Sequence, residues 1–315
     1  MSTRNEAENW NEAGCEADEA ATTMQVNASY GKDCASMAEA EPSENNSNSA
    51  DSGDYENFAE NDWTPTDGEV SFTVLLEAGP AYVDTVYDDD GSPVRVLAVG
   101  GAYQSATYLG DRWFDLPFAY YKSFDRMFDA ADQGLAIDRV CMLGGGGCSY
   151  PKHLLMTRPQ VGIDVVEPDS GVVDLAYEYF FVDKLDDMLD AQGELDRFEI
   201  FEEEGRTFLE QTSNSYAVII NDAFAGSAEV QDLVDDEGIE VIKRHLTSGG
   251  LYLINATCDE SPEDFGRIHD LLDRLRTHFA SVFMFDASDD GFASDDNYLI
   301  LATDSTYTFE GAIGE

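Results

Sequence analysis

Positive charge is what this 315-residue chain lacks most: 17 Lys and Arg face 65 Asp and Glu, for a formal charge of −48. Binding along a nucleic-acid backbone needs clustered Lys and Arg against the phosphates, so a general nucleic-acid surface is excluded. Cysteine is scarce too. Cys15, Cys34, Cys141, Cys148 and Cys258 are odd in number and scattered, with no C-x-x-C pair, which excludes a disulfide framework or a zinc site. His153, His245, His269 and His278 show no metal spacing and no nucleophile partner, so no metal is expected. No stretch approaches 18 apolar residues, and the N-terminus has neither the basic start nor the apolar run of a secretory signal. No membrane contact and a cytoplasmic location are the expectations.

Hydrophobic residues make up 43% of the chain, enough for a sizeable core. Residues 1–67 do not contribute to it. They are rich in Ala, Glu, Asn and Ser, include Glu44-Asn45-Asn46-Ser47-Asn48-Ser49, and have no sustained periodicity, so they read as a disordered acidic tail. The acidity is not confined there: residues 1–70 hold only 17 of the Asp and Glu. Such a surface gives solubility and suits a salt-rich cytoplasm.

Four β-rich runs follow, at 71–77, 81–87, 94–99 and 102–109, with the hairpin signal Asp88-Asp89-Asp90-Gly91 between the second and third. They predict a small antiparallel sheet within 68–116. Pro117 suits the first turn of a helix to about Ala131, with Phe118, Tyr121, Phe124 and Phe128 on one face. From Asp138 the pattern alternates. Strand runs at 139–143, 162–166, 198–201, 217–221 and 251–256 are separated by helical stretches at 150–157, 170–180, 206–211, 235–246 and 262–278. Near-continuously apolar strands with helices between them predict a parallel sheet covered on both faces. The runs 281–285 and 297–302 are joined by a polar loop and should pair antiparallel. The expectation is an α/β, doubly wound, Rossmann-like domain over 117–305 with a seven-stranded sheet of class I methyltransferase type, preceded by the antiparallel sheet. Residues 306–315 are left as a C-terminal tail.

The run Val140-Cys141-Met142-Leu143-Gly144-Gly145-Gly146-Gly147-Cys148 is a strand entering a tight turn, where absent side chains let backbone N–H groups approach a ligand at a helix start. Glu167 ends the next strand, 21 residues after Gly146. That is about the 20-residue spacing at which a carboxylate meets ribose hydroxyls. Cys148 stands near the same helix start, which is expected to lower its pKa, although no His or Asn signature marks it as a nucleophile.

Four segments in order are similar to the spermidine synthases, the polyamine aminopropyltransferases. Val99-Gly100-Gly101-Ala102-Tyr103-Gln104 resembles L-D-G-x-x-Q, and Phe118-Ala119-Tyr120-Tyr121-Lys122 lies where the family has F-x-Y-H-E. Leu143 to Gly146 follows I-G-G-G-D-G-G and departs at Gly147, Cys148 and Ser149. Tyr216 to Asp222 follows Y-D-x-I-x-x-D-x-x-D with Ala217 for the first Asp, and Ala225 replaces the last. The resemblance implies that Gly144, Gly145, Gly146, Gly147, Glu167, Glu204 and Gln104 bind S-adenosylmethionine or its decarboxylated form as donor substrate. Glu167 would hold the ribose and Glu204 the adenine amine. It also implies a homodimer.

The acceptor half departs from the family. Gripping a cationic diamine takes carboxylates, and here they are replaced by Gly147, Lys122 and Ala225, with Tyr121 where the family has His. An unpaired buried ammonium costs several kcal/mol. Tyr120, Tyr121, Lys122 and Ala225 are therefore the candidate acceptor pocket. Asp222 is the candidate catalytic residue, as general base or sulfonium anchor, or else it caps a following helix. With Gly147 in place of an Asp, the loop N–H groups are expected to stand free for a donor carboxylate. Three functions follow: a transferase of altered acceptor, including methyl transfer; a genuine aminopropyltransferase using Asp111, Asp115 or Glu229 instead; or a non-catalytic protein that binds an S-adenosyl nucleoside.

The tail's polarity means that it buries too little apolar surface to offset its ordering entropy. A chain starting at Gly68 should melt within a few degrees of the full chain in scanning calorimetry. A large drop would show that the tail packs on the domain.

Overall fold

The chain's first sheet is antiparallel, built from Ser71–Leu76 (β1), Gly79–Tyr87 (β2), Pro93–Val99 (β3) and Ala102–Tyr108 (β4) in the order β1-β2-β3-β4. The structure, a computed structural model, describes residues 68–100, 102–225, 228–258, 261–288 and 296–313. The expected tail, residues 1–67, lies outside the described residues, as does Gly101. The Asp88–Gly91 turn closes β2 on β3, with Gly91 at φ +81° and its N–H donating to the Asp88 carbonyl at 2.9 Å.

The seven-stranded sheet uses Arg139–Leu143 (β5), Gly162–Val166 (β6), Phe198–Phe201 (β7), Tyr216–Asn221 (β8), Leu246–Cys258 (β11), Ser281–Asp286 (β12) and Asp296–Thr303 (β13). Two short strands, Phe224–Ala225 (β9) and Ala228–Glu229 (β10), pair with each other apart from it. The order is β12-β13-β11-β8-β5-β6-β7, with β13 antiparallel to both neighbours and the five strands from β11 to β7 parallel. This is the expected doubly wound sheet closed by an antiparallel hairpin.

Period-two geometry sends successive side chains to opposite faces, and here both faces are apolar. Val140, Met142, Val218, Ile220, Leu251 and Leu253 join one core, while Cys141, Leu143, Ile219, Tyr252 and Ile254 join the other. The helices that cover them are Ala119–Ser123 (α1), Met127–Ala131 (α2), Ser149–Thr157 (α3), Ser170–Tyr179 (α4), Val182–Gln192 (α5), Gly205–Gln211 (α6), Gln231–Val234 (α7), Asp236–His245 (α8) and Pro262–His278 (α9). None of the described helices is long and apolar enough to cross a membrane.

Two readings need correction. The helix expected from Pro117 begins at Ala119 and is interrupted by a 3-10 turn at Phe124–Arg126, because Phe118 stays extended (φ −87°, ψ 138°) and stacks its ring on Tyr120 and Tyr121. Helix α5 went unread because its stripe of Val182, Leu185 and Leu189 is interleaved with acids.

The first sheet is bolted to the second domain by buried cations. Arg95 of β3 and Lys152 of α3 are both fully buried, and both donate to the carboxyl end of α4: Arg95 Nη1 to the Tyr179 carbonyl at 2.7 Å and Lys152 Nζ to the Phe180 carbonyl. Lys152 Nζ also bonds Thr107 Oγ1 at 3.1 Å. Cations at a helix carboxyl end are electrostatically favoured. Burial nevertheless pulls the Lys152 ammonium down to about 7.

The sign of the resulting pH dependence is fixed. Between about pH 7 and the ordinary lysine value, the unfolded chain holds a proton at residue 152 that the folded chain does not, so this site makes stability rise with pH there. Lys152→Met should flatten that rise. The stability difference between wild type and variant should change by at most about 1.4 kcal/mol per pH unit over pH 7–10 in urea titrations. Parallel pH curves would show that residue 152 does not titrate in this range.

Candidate functional site

Strand register sets the site. Leu143 lies opposite Val166 and Asn221, Val166 opposite Phe201, and Asn221 opposite Ile254. The next residue along each strand therefore emerges at one edge: Gly144, Glu167, Asp222 and Asn255. The order β6-β5-β8 makes the space between β5 and β8 the topological switch point, where the chain's winding reverses and ligands bind in open α/β sheets. Gly144 and Asp222 face each other across it. Gly144 has φ +91°, and a Cβ there would lie 2.4 Å from the Asp222 carbonyl oxygen.

The glycine loop is already bonded. Gly145 and Gly146 donate their N–H groups to Glu167 Oε2 at 3.0 and 3.1 Å, Asp169 N–H donates to Glu167 Oε1 at 3.2 Å, and Gly147 donates to Ser105 Oγ at 3.0 Å. The expectation of free N–H groups at the loop is thus overturned: the chain's own oxygens occupy them. Burial raises the Glu167 carboxyl, opposed by the three N–H bonds. A carboxylate offers about four lone-pair sites, so three bonds fix its orientation and leave capacity for a ligand hydroxyl.

Gly147 is no vacancy. A Cβ there would lie 2.6 Å from Phe180 Cδ1 and 2.8 Å from Ser105 Oγ, so Phe180 fills the space that a side chain at 147 would need. Cys148 is corrected as well. It adopts the left-handed conformation (φ 53°) at the start of α3, but burial pushes its thiol up to about 12, the reverse of the expected fall. Desolvation outweighs the helix start.

Asp222 is the carboxyl at the centre of the crevice. Asn255 Nδ2 donates to its Oδ1 at 2.8 Å, and Asn297 Nδ2 donates to Asn255 Oδ1 at 2.9 Å, fixing the amide. The Tyr120 hydroxyl is its second partner. Burial pushes the Asp222 carboxyl up to about 7, against the lowering effect of both bonds. The helix-cap alternative fails because the hairpin β9–β10, not a helix, follows Asp222.

Tyr121 is buried, with its ring centroid 4.2 Å from that of Tyr120. Its hydroxyl bonds Tyr120, Ser105 and Ser149. Burial, with Asp222 nearby, raises both tyrosines.

Other expected site residues lie further out. Gln104 of β4 brings its carbonyl within 3.4 Å of where a Gly146 Cβ would be, so its strand walls the loop. Glu204 is exposed at the start of α6, three residues past Phe201 on the same sheet edge. Lys122 is exposed, and the partners that act on Asp222 are the neutral Asn255 and Tyr120, so Lys122 is not part of the Asp222 cluster. Asp115 is paired with Arg112 at 3.0 Å and Asp111 is exposed. Ala225 pairs with Ala228 and Glu229 with Phe224 through the β9–β10 backbone, and the side chains of Ala225 and Glu229 lie outside the described part. Among the described residues, no group of three or more His, Cys, Asp or Glu is placed to hold a metal ion.

Asn255, Ser105 and Ser149 were missed. A polar residue inside the apolar run Leu251–Ala256 was the available signal for Asn255; the serines gave none.

The spermine/spermidine synthase domain matches residues 118–287. A polyamine aminopropyltransferase of Streptococcus uberis is 29% identical over 137 residues, 42% of this chain and 45% of that protein. One from Escherichia fergusonii is 26% identical over 216 residues, 68% of this chain and 69% of the relative. The chain therefore matches less than half the length of the first relative and about two thirds of the second. Among solved structures, a probable spermidine synthase of Corynebacterium glutamicum superposes with a TM-score of 0.61 at 22% identity, covering 76% of this chain and 82% of that one. That is a likeness of fold.

Asp222 makes the fold less stable as pH rises. From about pH 4 to 7 the unfolded chain sheds the Asp222 proton that the folded chain keeps, so this site removes stability across that window. Asp222→Asn should abolish the loss, shifting the variant's melting temperature upward relative to wild type between pH 5 and pH 8. An unchanged difference across that range would mean that Asp222 is ionised at its ordinary value.

Proposed function

We propose, from the premise that this chain belongs to the spermine/spermidine synthase family, that it is a transferase using an S-adenosyl-type donor with an acceptor other than the family's diamine. The observation that carries this is Asp222: a carboxyl at the switch-point crevice, next to the glycine loop and poised near neutral pH by burial. A general base works best when its pKa lies near the working pH. The acceptor's nucleophile attacks the carbon beside the donor's sulfonium, the C–S bond breaks, and the acceptor's proton passes to the Asp222 carboxylate. The electron pair of the broken bond stays on sulfur as a neutral thioether.

Glu167 supplies the ribose grip, oriented by three N–H bonds. Glu204 stands one strand further along the same edge for the adenine. Where the resemblance places carboxylates against a diamine, this chain has Gly147, Lys122 and Ala225. None of these three positions keeps a carboxylate, which favours an acceptor of lower charge.

The donor is S-adenosylmethionine or its decarboxylated form. No acid stands at 147 to repel a donor carboxylate, so S-adenosylmethionine is expected to bind at least as tightly as the decarboxylated compound. Calorimetric titration of both donors and of methylthioadenosine into wild type and Glu167→Ala tests the reading. Binding to wild type and at least a tenfold loss in the variant, about 1.4 kcal/mol, are expected. No binding to wild type, or equal affinity in the variant, ends the donor assignment. A tenfold preference for the decarboxylated donor, with a putrescine-derived product from labelled donor, restores ordinary aminopropyl transfer.

A further inference from the structure

We propose that Asn297 is a positioning residue for Asp222: by donating to the Asn255 oxygen, it keeps the nitrogen end of that amide turned towards the carboxyl. The proposal rests on Asp222 as the base, but side-chain hydrogen bonds that need no ligand carry it.

Strand register brings the two amides together. In the antiparallel pair β11–β13, Asn255 lies opposite Leu299 and Thr257 opposite Asn297. Asn255 and Asn297 are therefore diagonal neighbours on one face of the sheet, within reach of each other. The same face carries Leu251, Leu253, Leu299 and Leu301, all members of one core. At the carboxyl end of that apolar row stand two amides. Asn255 is 3% exposed and Asn297 6%. A buried amide is costly unless it is bonded, and leucine would pack there without that cost, so packing alone does not account for the pair.

The bonds run in one direction. Asn297 Nδ2 donates to Asn255 Oδ1 at 2.9 Å, and Asn255 Nδ2 donates to Asp222 Oδ1 at 2.8 Å. An amide presents an acceptor at one end and donors at the other, so turning it over exchanges the two. Turned over, Asn255 would set its oxygen against the Asp222 carboxylate and its N–H groups against those of Asn297, and both contacts repel. A protonated Asp222 can donate to a turned amide; an ionised one cannot. Fixing the amide therefore favours the ionised carboxyl. The Asn297 backbone is held in turn by the terminal hairpin, its carbonyl accepting the Ala287 N–H at 2.9 Å.

The other groups around Asp222 do not substitute for this donor. Tyr120 and Tyr121 face it from α1, and burial raises both, so neither is charged near neutral pH. From β5 the Leu143 carbonyl accepts the Asp222 backbone N–H at 2.8 Å, which leaves the side chain untouched. Glu167, at the end of β6, is bonded to the Gly145 and Gly146 N–H groups. Asn255 lowers the Asp222 carboxyl against the effect of burial, and its hold on the carboxyl is what Asn297 sets.

The test is the titration of Asp222 itself, read by carboxyl 13C NMR on aspartate-labelled full-length protein, with the signal identified by its loss in Asp222→Asn. Asn297→Leu should raise the Asp222 midpoint by about half a unit or more, because the amide is no longer held as a donor. Asn255→Leu, which removes the donor itself, should raise it by about one unit or more. Adding Asn297→Leu to Asn255→Leu should shift it no further, since the effect passes through Asn255. Asn297→Ala removes the same donor without added bulk, should act in the same direction, and keeps the test open if Asn297→Leu fails to fold. An unmoved midpoint in folded Asn297→Leu or Asn297→Ala, or a further shift on adding Asn297→Leu to Asn255→Leu, overturns the proposal. No S-adenosyl donor or acceptor is needed, so a failed transferase assay leaves this result standing, and a failed titration leaves the donor assignment standing.

Discussion

The close approach of two backbones at the carboxyl edge of the sheet governs the rest of the site. Gly144 leaves β5 where Asp222 leaves β8, and no Cβ fits between them: one would sit 2.4 Å from the Asp222 carbonyl oxygen. The Asp222 N–H donates to the Leu143 carbonyl at 2.8 Å and the Gly144 N–H to the Val166 carbonyl at 2.9 Å, so the ladders continue past the last side-chain row. A side chain at 144 would push β8 away and take Asp222 out of register with Asn255. Glycine here holds two strand ends together and sets the distance between the loop and the carboxyl.

From that spacing the electrostatics follow. In a chain with this excess of acid, a carboxylate that is to change protonation near neutrality has to be separated from its fellows and from water. The sheet edge does both. Glu167 is tied down by three N–H groups, which stabilise its charge, while Asp222 has Asn255 and Tyr120 for partners and loses hydration to the aromatic rings around it. The two carboxyls, at the ends of the strands that flank β5, thus sit among different donors: three backbone N–H groups at Glu167, and Asn255 and Tyr120 at Asp222.

The fold was legible wherever a strand is buried on both faces, since a continuous apolar run such as Val140–Leu143 has one reading once Gly144 follows it. Glu167 was legible from spacing, because strand, turn and helix lengths fix where the next strand ends. What stayed hidden depends on partners distant in sequence. Ser105 and Gly147 are 42 residues apart, Asn255 and Asp222 are 33 apart, and nothing local in the sequence marks either pair. The misread cysteine has the same origin: Cys148 beside a helix start looks activated in sequence, and only the packing shows that it has no water.

Gly147 shows why a departure from a family pattern cannot be judged one residue at a time. Read alone, a glycine where relatives carry an acid is a deletion that leaves room for a ligand. In the fold the room is taken by Phe180, which packs against the loop and whose carbonyl accepts the buried Lys152 ammonium. Phe180 also belongs to the core that joins the first sheet to α4, with Leu76, Val83 and Leu97. The loop's shape is therefore tied to the docking of the small sheet, and an acid restored at 147 alone would strike the ring and strain that junction. The loop is a packed arrangement in which Gly147, the Phe180 ring and the buried Lys152 fit one another, so residue 147 has its meaning only within that group.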